Sequence, residues 1–222
     1  MKAVNSNIAV KTDYDAAFDA RYTYEYAMAY YLRHKKGFFH VLSNILEQRM
    51  ARKALKMANF PSTVVDLPCG AGRFWETIIQ SGALSITGVD RSAGMIRVCK
   101  EMTDPKILQY VNLHEGDATN IPLKNKSVEA LMCMRLLHHI NDRSVREQMY
   151  TEFQRVAKKH VLISFWVDGN LKSLRNQGRP GKNRYMPVAE LEAELKESGF
   201  KIVGKVDMLP GYLPWRLYVL SV

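Results

Sequence analysis

From residue 62 onward, short apolar runs alternate with segments whose apolar residues recur at helical spacing, the pattern of βα units around a parallel sheet. Thr63–Leu67 reads as a first strand, followed by a glycine-containing turn and a helix near Arg73–Gln80 that Ser81-Gly82 closes. A second strand covers Ser85–Asp90, and Ser92 is a good N-cap for a helix running to about Met102. Further strands are predicted near Gln109–Leu113, at Val128–Cys133 and at His160–Phe165, with a helix near Arg143–Val156. Residues 168–187 are polar, basic and broken by glycine and proline, and read as a long loop. Pro187 suits the first turn of a helix over Val188–Ser198, which Gly199 ends, and strands at Phe200–Val206 and about Trp215–Leu220 close the pattern.

Before the first strand the pattern differs. Residues 14–58 read as a helical prefix rich in aromatics, and Phe39, Leu42, Ile45, Leu46, Met50 and Leu55 stand at helical spacing. The expectation is one α/β domain over 1–222: a Rossmann-like core at 59–222 with helices on both faces of a seven-stranded, mostly parallel sheet, preceded by an aromatic-rich helical extension or lid at 1–58. A chain of 222 residues with 47% hydrophobic and 24% charged residues can build that core, which argues against a disordered protein. No apolar run reaches the roughly 18 residues of a transmembrane helix, and the acidic N-terminus does not read as a secretory signal. Cys69, Cys99 and Cys133 are far apart and odd in number; they suit a reducing cytoplasm and give no metal pattern, so no metal site is expected. The net charge of +10 is compatible with an anionic partner, nucleic acid included, and equally with plain solubility.

The chemistry is concentrated in one turn, Val64-Val65-Asp66-Leu67-Pro68-Cys69-Gly70-Ala71-Gly72-Arg73-Phe74. Strand, small-residue turn and helix start together let a ligand approach the backbone and meet free N–H groups. A dinucleotide fold would continue as GxGxxG. Counted from Gly70, the third glycine position holds Trp75, whose bulk opposes the close helix–strand contact that glycine permits, and NAD or FAD is therefore disfavoured.

This turn resembles the first motif of the class I S-adenosylmethionine-dependent methyltransferases (type 11-like), a strand ending in Asp followed by x-G-C-G-x-G, with Pro68 here replacing a glycine. The resemblance runs over residues 62–166 and continues in order. It implies that Asp66, Pro68, Cys69, Gly70, Ala71 and Gly72 form the cofactor turn, with Asp90 and the adjacent Arg91 at the ribose. Asp117 and Ala118, within Gly116-Asp117-Ala118, are implied to meet the adenine. Cys133 and Met134 would line the methionine and sulfonium, and Met95 either covers the adenine or fills a helix core.

What the resemblance implies is a cytoplasmic methyltransferase that converts S-adenosylmethionine to S-adenosylhomocysteine while methylating a small or medium-sized acceptor, with an anionic one compatible with the charge. RNA or protein methylation, and a non-catalytic cofactor-binding subunit, are the alternatives. No unmistakable general base stands in the sequence. His139 and His138, after the fourth strand, could take a proton or simply pack locally. Tyr14 and Tyr22 could reach over the cofactor, and Arg135, Arg175, Arg179 and Arg184 could face the acceptor.

Overall fold

The computed structural model describes residues 23–33, 37–176 and 185–222. Two helices lead, α1 (Tyr24–Arg33) and α2 (Phe38–Met57). Then come β1 (Thr63–Asp66), α3 (Trp75–Gln80), β2 (Ser85–Asp90), α4 (Ala93–Met102), α5 (Pro105–Leu108), β3 (Val111–Glu115) and β4 (Val128–Cys133). A 3-10 turn at Leu137–His139 precedes α6 (Arg143–Val156), β5 (Ala157–Trp166), α7 (Leu171–Asn176), α8 (Val188–Glu197), β6 (Lys201–Asp207) and β7 (Trp215–Ser221). The strands form one seven-stranded sheet in the order β3-β2-β1-β4-β5-β7-β6. Only β7 runs against its neighbours β5 and β6.

The register brings the functional strand ends to one edge. Asp66 pairs with Gly88 and Met132, Asp90 with Glu115, and Cys133 with Ile163. Ligands of open α/β sheets gather at this carboxyl edge, where the strand order reverses between β1 and β4. Val64, Ala130, Leu162 and Val219 face Met50, Ala54, Trp75 and Ile78 on one side of the sheet. Val65, Leu131, Val161 and Leu220 face Tyr150, Phe153, Leu191 and Leu195 on the other.

Local chemistry accounts for the departures from the sequence expectation. The first core helix begins at Trp75 rather than Arg73 because the chain is still turning, with the Gly72 N–H donating to the Cys69 carbonyl at 3.0 Å. Asp104 caps the short helix α5 through Lys106 N at 2.8 Å, which delays β3 to Val111. Within the expected loop 168–187, α7 forms on a reciprocal cap: Asn170 Oδ1 accepts from Ser173 N at 2.9 Å, and Ser173 Oγ accepts from Asn170 N at 3.2 Å. Bridge pairing of Val167 with Met186 then fixes the far end of the segment.

The described N-terminal helices pack against the core. Gly94 lets the start of α1 approach α4, where a Cβ would lie 2.9 Å from the Thr23 and Tyr24 backbone. Tyr24 Oη donates to Glu101 Oε2 at 2.6 Å, and Tyr31 Oη donates to the Met102 carbonyl. In α2, Glu47 meets residues at the carboxyl edge while Met57 Sδ lies against Gly204 of β6, so the helix runs against the strands. Twenty helical residues span about 30 Å, well beyond a four-residue strand, so the first turns of α2 overhang the carboxyl edge.

Candidate cofactor and acceptor site

At the turn after β1 the sequence forces a left-handed backbone twice, with φ of +54° at Gly70 and +70° at Gly72. The Leu67–Pro68 peptide is cis. The Cys69 N–H donates to the Val89 carbonyl at 2.8 Å, and Cys99 Sγ donates to the Gly70 carbonyl at 3.0 Å, so β2 and α4 both fasten the turn. A Cβ on Gly72 would sit 2.5 Å from the Trp75 ring, and one on Gly88 would sit 2.9 Å from it. Trp75 is fully buried between these two glycines, filling the space that a third glycine leaves open to a close-packed helix in a dinucleotide fold.

Asp90 closes the turn from β2. Its Oδ2 accepts from Gly70 N at 2.8 Å and its Oδ1 from Ser92 N at 2.9 Å. Each oxygen keeps a second lone-pair site, which suits a vicinal diol. Burial pushes the Asp90 carboxyl up to about 6, against the pull of those two N–H groups. A Cβ on Gly116 would meet Pro122 at 2.6 Å, and Gly116 N donates to the Asp90 carbonyl, which brings Asp117 alongside Asp90. Asp117 Oδ1 accepts from Thr119 N and Oγ1, while its Oδ2 stands 3.5 Å from Arg91 Nη1. Ala71, Ala118, Cys133 and Met134 are buried around the same edge.

Two of the expected contacts need correction. Asp66 is fully buried with neither oxygen hydrogen-bonded, so it offers no surface to a cofactor and acts from behind the turn. Burial pushes it up to about 8; the indole of Trp75 and the charge of Arg73 oppose this, and the charge of Asp90 adds to it. The Trp75 indole N–H does not reach hydrogen-bond geometry with it. Of the two readings of Met95, the structure gives the core: it packs under α1 with Ala27, Ala71 and Val98.

Several site residues carried no sequence signal. Glu47 of α2 is 1% exposed and ion-paired to both Arg73, after Gly72, and Arg135, after Met134, the latter at 2.9 Å. Burial would push the Glu47 carboxyl up, but the two guanidiniums and the Ser43 hydroxyl outweigh it and hold it below the usual carboxylate range. Gln48 donates to the Arg73 carbonyl at 2.7 Å. Tyr30 lies 3.8 Å from where a Cβ on Gly70 would stand, so α1 reaches the turn. Pairing of such residues is set by the overhang of α2 and the docking of α1, which no local pattern in the sequence announces.

Beyond β4, Arg135 adopts φ +63°, its N–H donating to Ser164 Oγ at 2.8 Å. Its guanidinium lies 5.2 Å from the Trp215 ring centroid. His138 stacks on Trp166, the last residue of β5, at 4.3 Å and 29°, and meets Trp215 edge-on at 5.0 Å. Burial, with the charges of His139 and Arg135, pushes His138 down to about 3. So low an affinity for protons makes a poor base at neutral pH, and the structure gives His138 the place of an aromatic wall instead. His139 is exposed beside it, ring centroids 3.9 Å apart. Arg175 is exposed on α7; Tyr14, Tyr22, Arg179 and Arg184 lie outside the described residues.

Residues 64–160, which hold the Asp66–Gly72 turn and Asp90, match a family model described as a methyltransferase domain. Residues 64–160 carry a methyltransferase domain of the class I S-adenosylmethionine-dependent kind. Over 106 residues the chain is 29% identical to a ubiquinone/menaquinone biosynthesis C-methyltransferase of Campylobacter jejuni, covering 45% of this chain and 42% of that protein. It is 25% identical over 108 residues to a tRNA (carboxymethyluridine(34)-5-O)-methyltransferase of Arabidopsis thaliana, covering 48% and 24%. The chain thus spans less than half the length of these curated relatives. The fold matches the magnesium protoporphyrin IX methyltransferase of Synechocystis, solved with S-adenosylhomocysteine, with a TM-score of 0.71 at 16% identity over 93% of this chain and 98% of that one. Among the described residues, no helix is long and apolar enough to cross a membrane.

Proposed function

We propose that this protein methylates a small or medium-sized acceptor from S-adenosylmethionine. The observation that carries the reading is the Asp90 carboxylate, which fastens the Gly70 turn and the start of α4 and still has a lone pair at each oxygen for a ribose diol. Asp117 is the acceptor for an adenine amino group, and Gly70 and Gly72 give the backbone room for close approach. The cofactor supplies an electrophilic methyl on a sulfonium. The chain positions, excludes water and holds charge off the reacting atoms, which is enough for an in-line displacement when the nucleophile arrives deprotonated. Where a proton must be taken, exposed His139 is the group in place.

The RNA reading has the Arabidopsis relative and the net charge behind it. Against it, Arg73, Arg135, Arg143, Arg146, Arg155 and Arg216 are all ion-paired to carboxylates of this chain. Much of the arginine charge is therefore neutralised locally rather than presented to a phosphate backbone. Calorimetric titration with S-adenosylhomocysteine and with NAD tests the reading: micromolar-scale binding of the first, about −8 kcal/mol, and none of the second is the expected result. Binding of NAD without any response to S-adenosylhomocysteine would end it.

A further inference from the structure

A cavity of about 430 Å³ opens at the carboxyl edge between the 3-10 turn after β4, the start of α6 and the start of α8. That volume falls in the range of small-molecule pockets. One wall is aromatic and held in place. His138 and Tyr185 line the cavity, and both back onto Trp166, His138 by stacking and Tyr185 at 6.3 Å between centroids. Tyr185 Oη accepts from Asn176 Nδ2 at 2.7 Å, and the Met186 N–H donates to the Trp166 carbonyl at 2.9 Å. Both His138 ring nitrogens and Trp166 Nε1 are buried without a hydrogen-bond partner. These atoms lie behind the wall rather than on it, so the wall presents ring faces to the cavity.

The charges around this cavity run against the basic character of the whole chain. Arg146 is clasped by Glu194 through two hydrogen bonds, of 2.8 and 2.6 Å, and also donates to the Ile140 and Asn141 carbonyls. Arg143 is held by Glu147 and Glu197 at 2.8 and 2.6 Å. The two guanidiniums are thus taken up by Glu147, Glu194 and Glu197, while the exposed Glu190 lines the cavity with no ion-pair partner among the described residues. The two helix N-termini that border the cavity would otherwise favour an anion. Each already has a carboxylate: Asp142 accepts from Ser144 N at 2.8 Å, and Asp168 from Val188 N at 3.0 Å. The net charge suggested an anionic acceptor, but the cavity offers such a molecule no free cation among its described lining residues.

We propose that this cavity is the acceptor pocket and that it selects a flat, ring-bearing amine in its ammonium form, the ring against His138 and Tyr185 and the ammonium at Glu190. Aromatic faces attract cations, and the unpaired carboxylate at the rim completes the recognition. The proposal rests on the methyltransferase reading and names the class of acceptor for it. Three probes with one ring and different charge test it: tryptamine, 3-ethylindole and indole-3-propionate, titrated calorimetrically into the full chain saturated with S-adenosylhomocysteine. Tryptamine should bind tightest and indole-3-propionate weakest. Glu190→Gln should weaken tryptamine about fivefold and leave 3-ethylindole within about twofold. Tyr185→Leu should weaken tryptamine and 3-ethylindole alike. Preference for indole-3-propionate, tryptamine binding that ignores Glu190→Gln, or binding of none of the three while S-adenosylhomocysteine binds normally would each overturn the amine pocket and leave the methyltransferase reading standing. Failure of S-adenosylhomocysteine itself to bind would take down both.

Discussion

Asp90 ties cofactor affinity to pH in a way that can be measured. Its oxygens each accept one backbone N–H, from Gly70 and Ser92, so Asp90→Ala would unfasten the turn as well as remove a ligand contact. Asp90→Asn is the cleaner perturbation: the amide oxygen keeps one of those bonds, and the charge is lost with little change in volume. Hydrogen bonds from a diol to a charged acceptor contribute about 1.5–3 kcal/mol, so the Asn variant should bind S-adenosylhomocysteine roughly ten- to a hundredfold more weakly. The wild-type carboxyl, pushed up to about 6 by burial, must be ionised to accept from both hydroxyls. Affinity should therefore be level above about pH 7 and fall by about tenfold per unit as pH drops below about 6. In the Asn variant that slope should vanish. Calorimetry at pH 5, 6, 7 and 8 gives both numbers. A wild-type dissociation constant equal at pH 5 and pH 8, or an Asn variant that keeps the wild-type slope, would show that the ribose does not rest on this carboxylate.

Asp66→Asn should change how stability depends on pH. The folded carboxyl, at about 8, holds its proton where the unfolded one, near 4, has lost it, so wild-type stability is fullest below about pH 4 and declines as pH rises to about 8. Between pH 6 and 8, largely beyond the Asp90 transition, the decline should be about 2 kcal/mol in the wild type and mostly absent in the Asn variant by urea unfolding; equal declines would refute the assignment. Glu47→Gln leaves Arg73 and Arg135 without their shared charge. With Arg135 partly exposed, the loss should be about 2 kcal/mol rather than the 3–5 of a fully buried pair, together with weaker S-adenosylhomocysteine binding, and a variant indistinguishable from wild type in both would contradict the clamp. Gly72→Ala puts a Cβ 2.5 Å from the Trp75 ring at a φ of +70° and should cost about 2–4 kcal/mol, read as a lowered unfolding temperature; unchanged melting would mean that the turn can relax.

Periodicity alone placed the sheet strands to within a few residues, because a half-buried strand and an amphipathic helix write their burial into the spacing of apolar residues. The turn after β1 was legible for the same kind of local reason: glycine takes φ of +54° and +70° more readily than any other residue, so the pair Gly70 and Gly72 marks a tight turn. Asp90 and Asp117 could be read because each closes a strand or its following turn. What the sequence did not disclose is which distant charges meet. Glu47 and Arg135 are 88 positions apart and Arg146 and Glu194 are 48 apart, and whether an arginine is free for a ligand depends on those meetings. Hence a chain of net charge +10 folds with a cavity whose two lining arginines are both already paired to carboxylates. His138, adjacent to His139 and chemically its equal on paper, becomes a neutral wall because tertiary packing lays it on Trp166 and strips it of water. Local backbone requirements are written residue by residue; burial and charge pairing are properties of the assembled layers, and only the tertiary structure decides them.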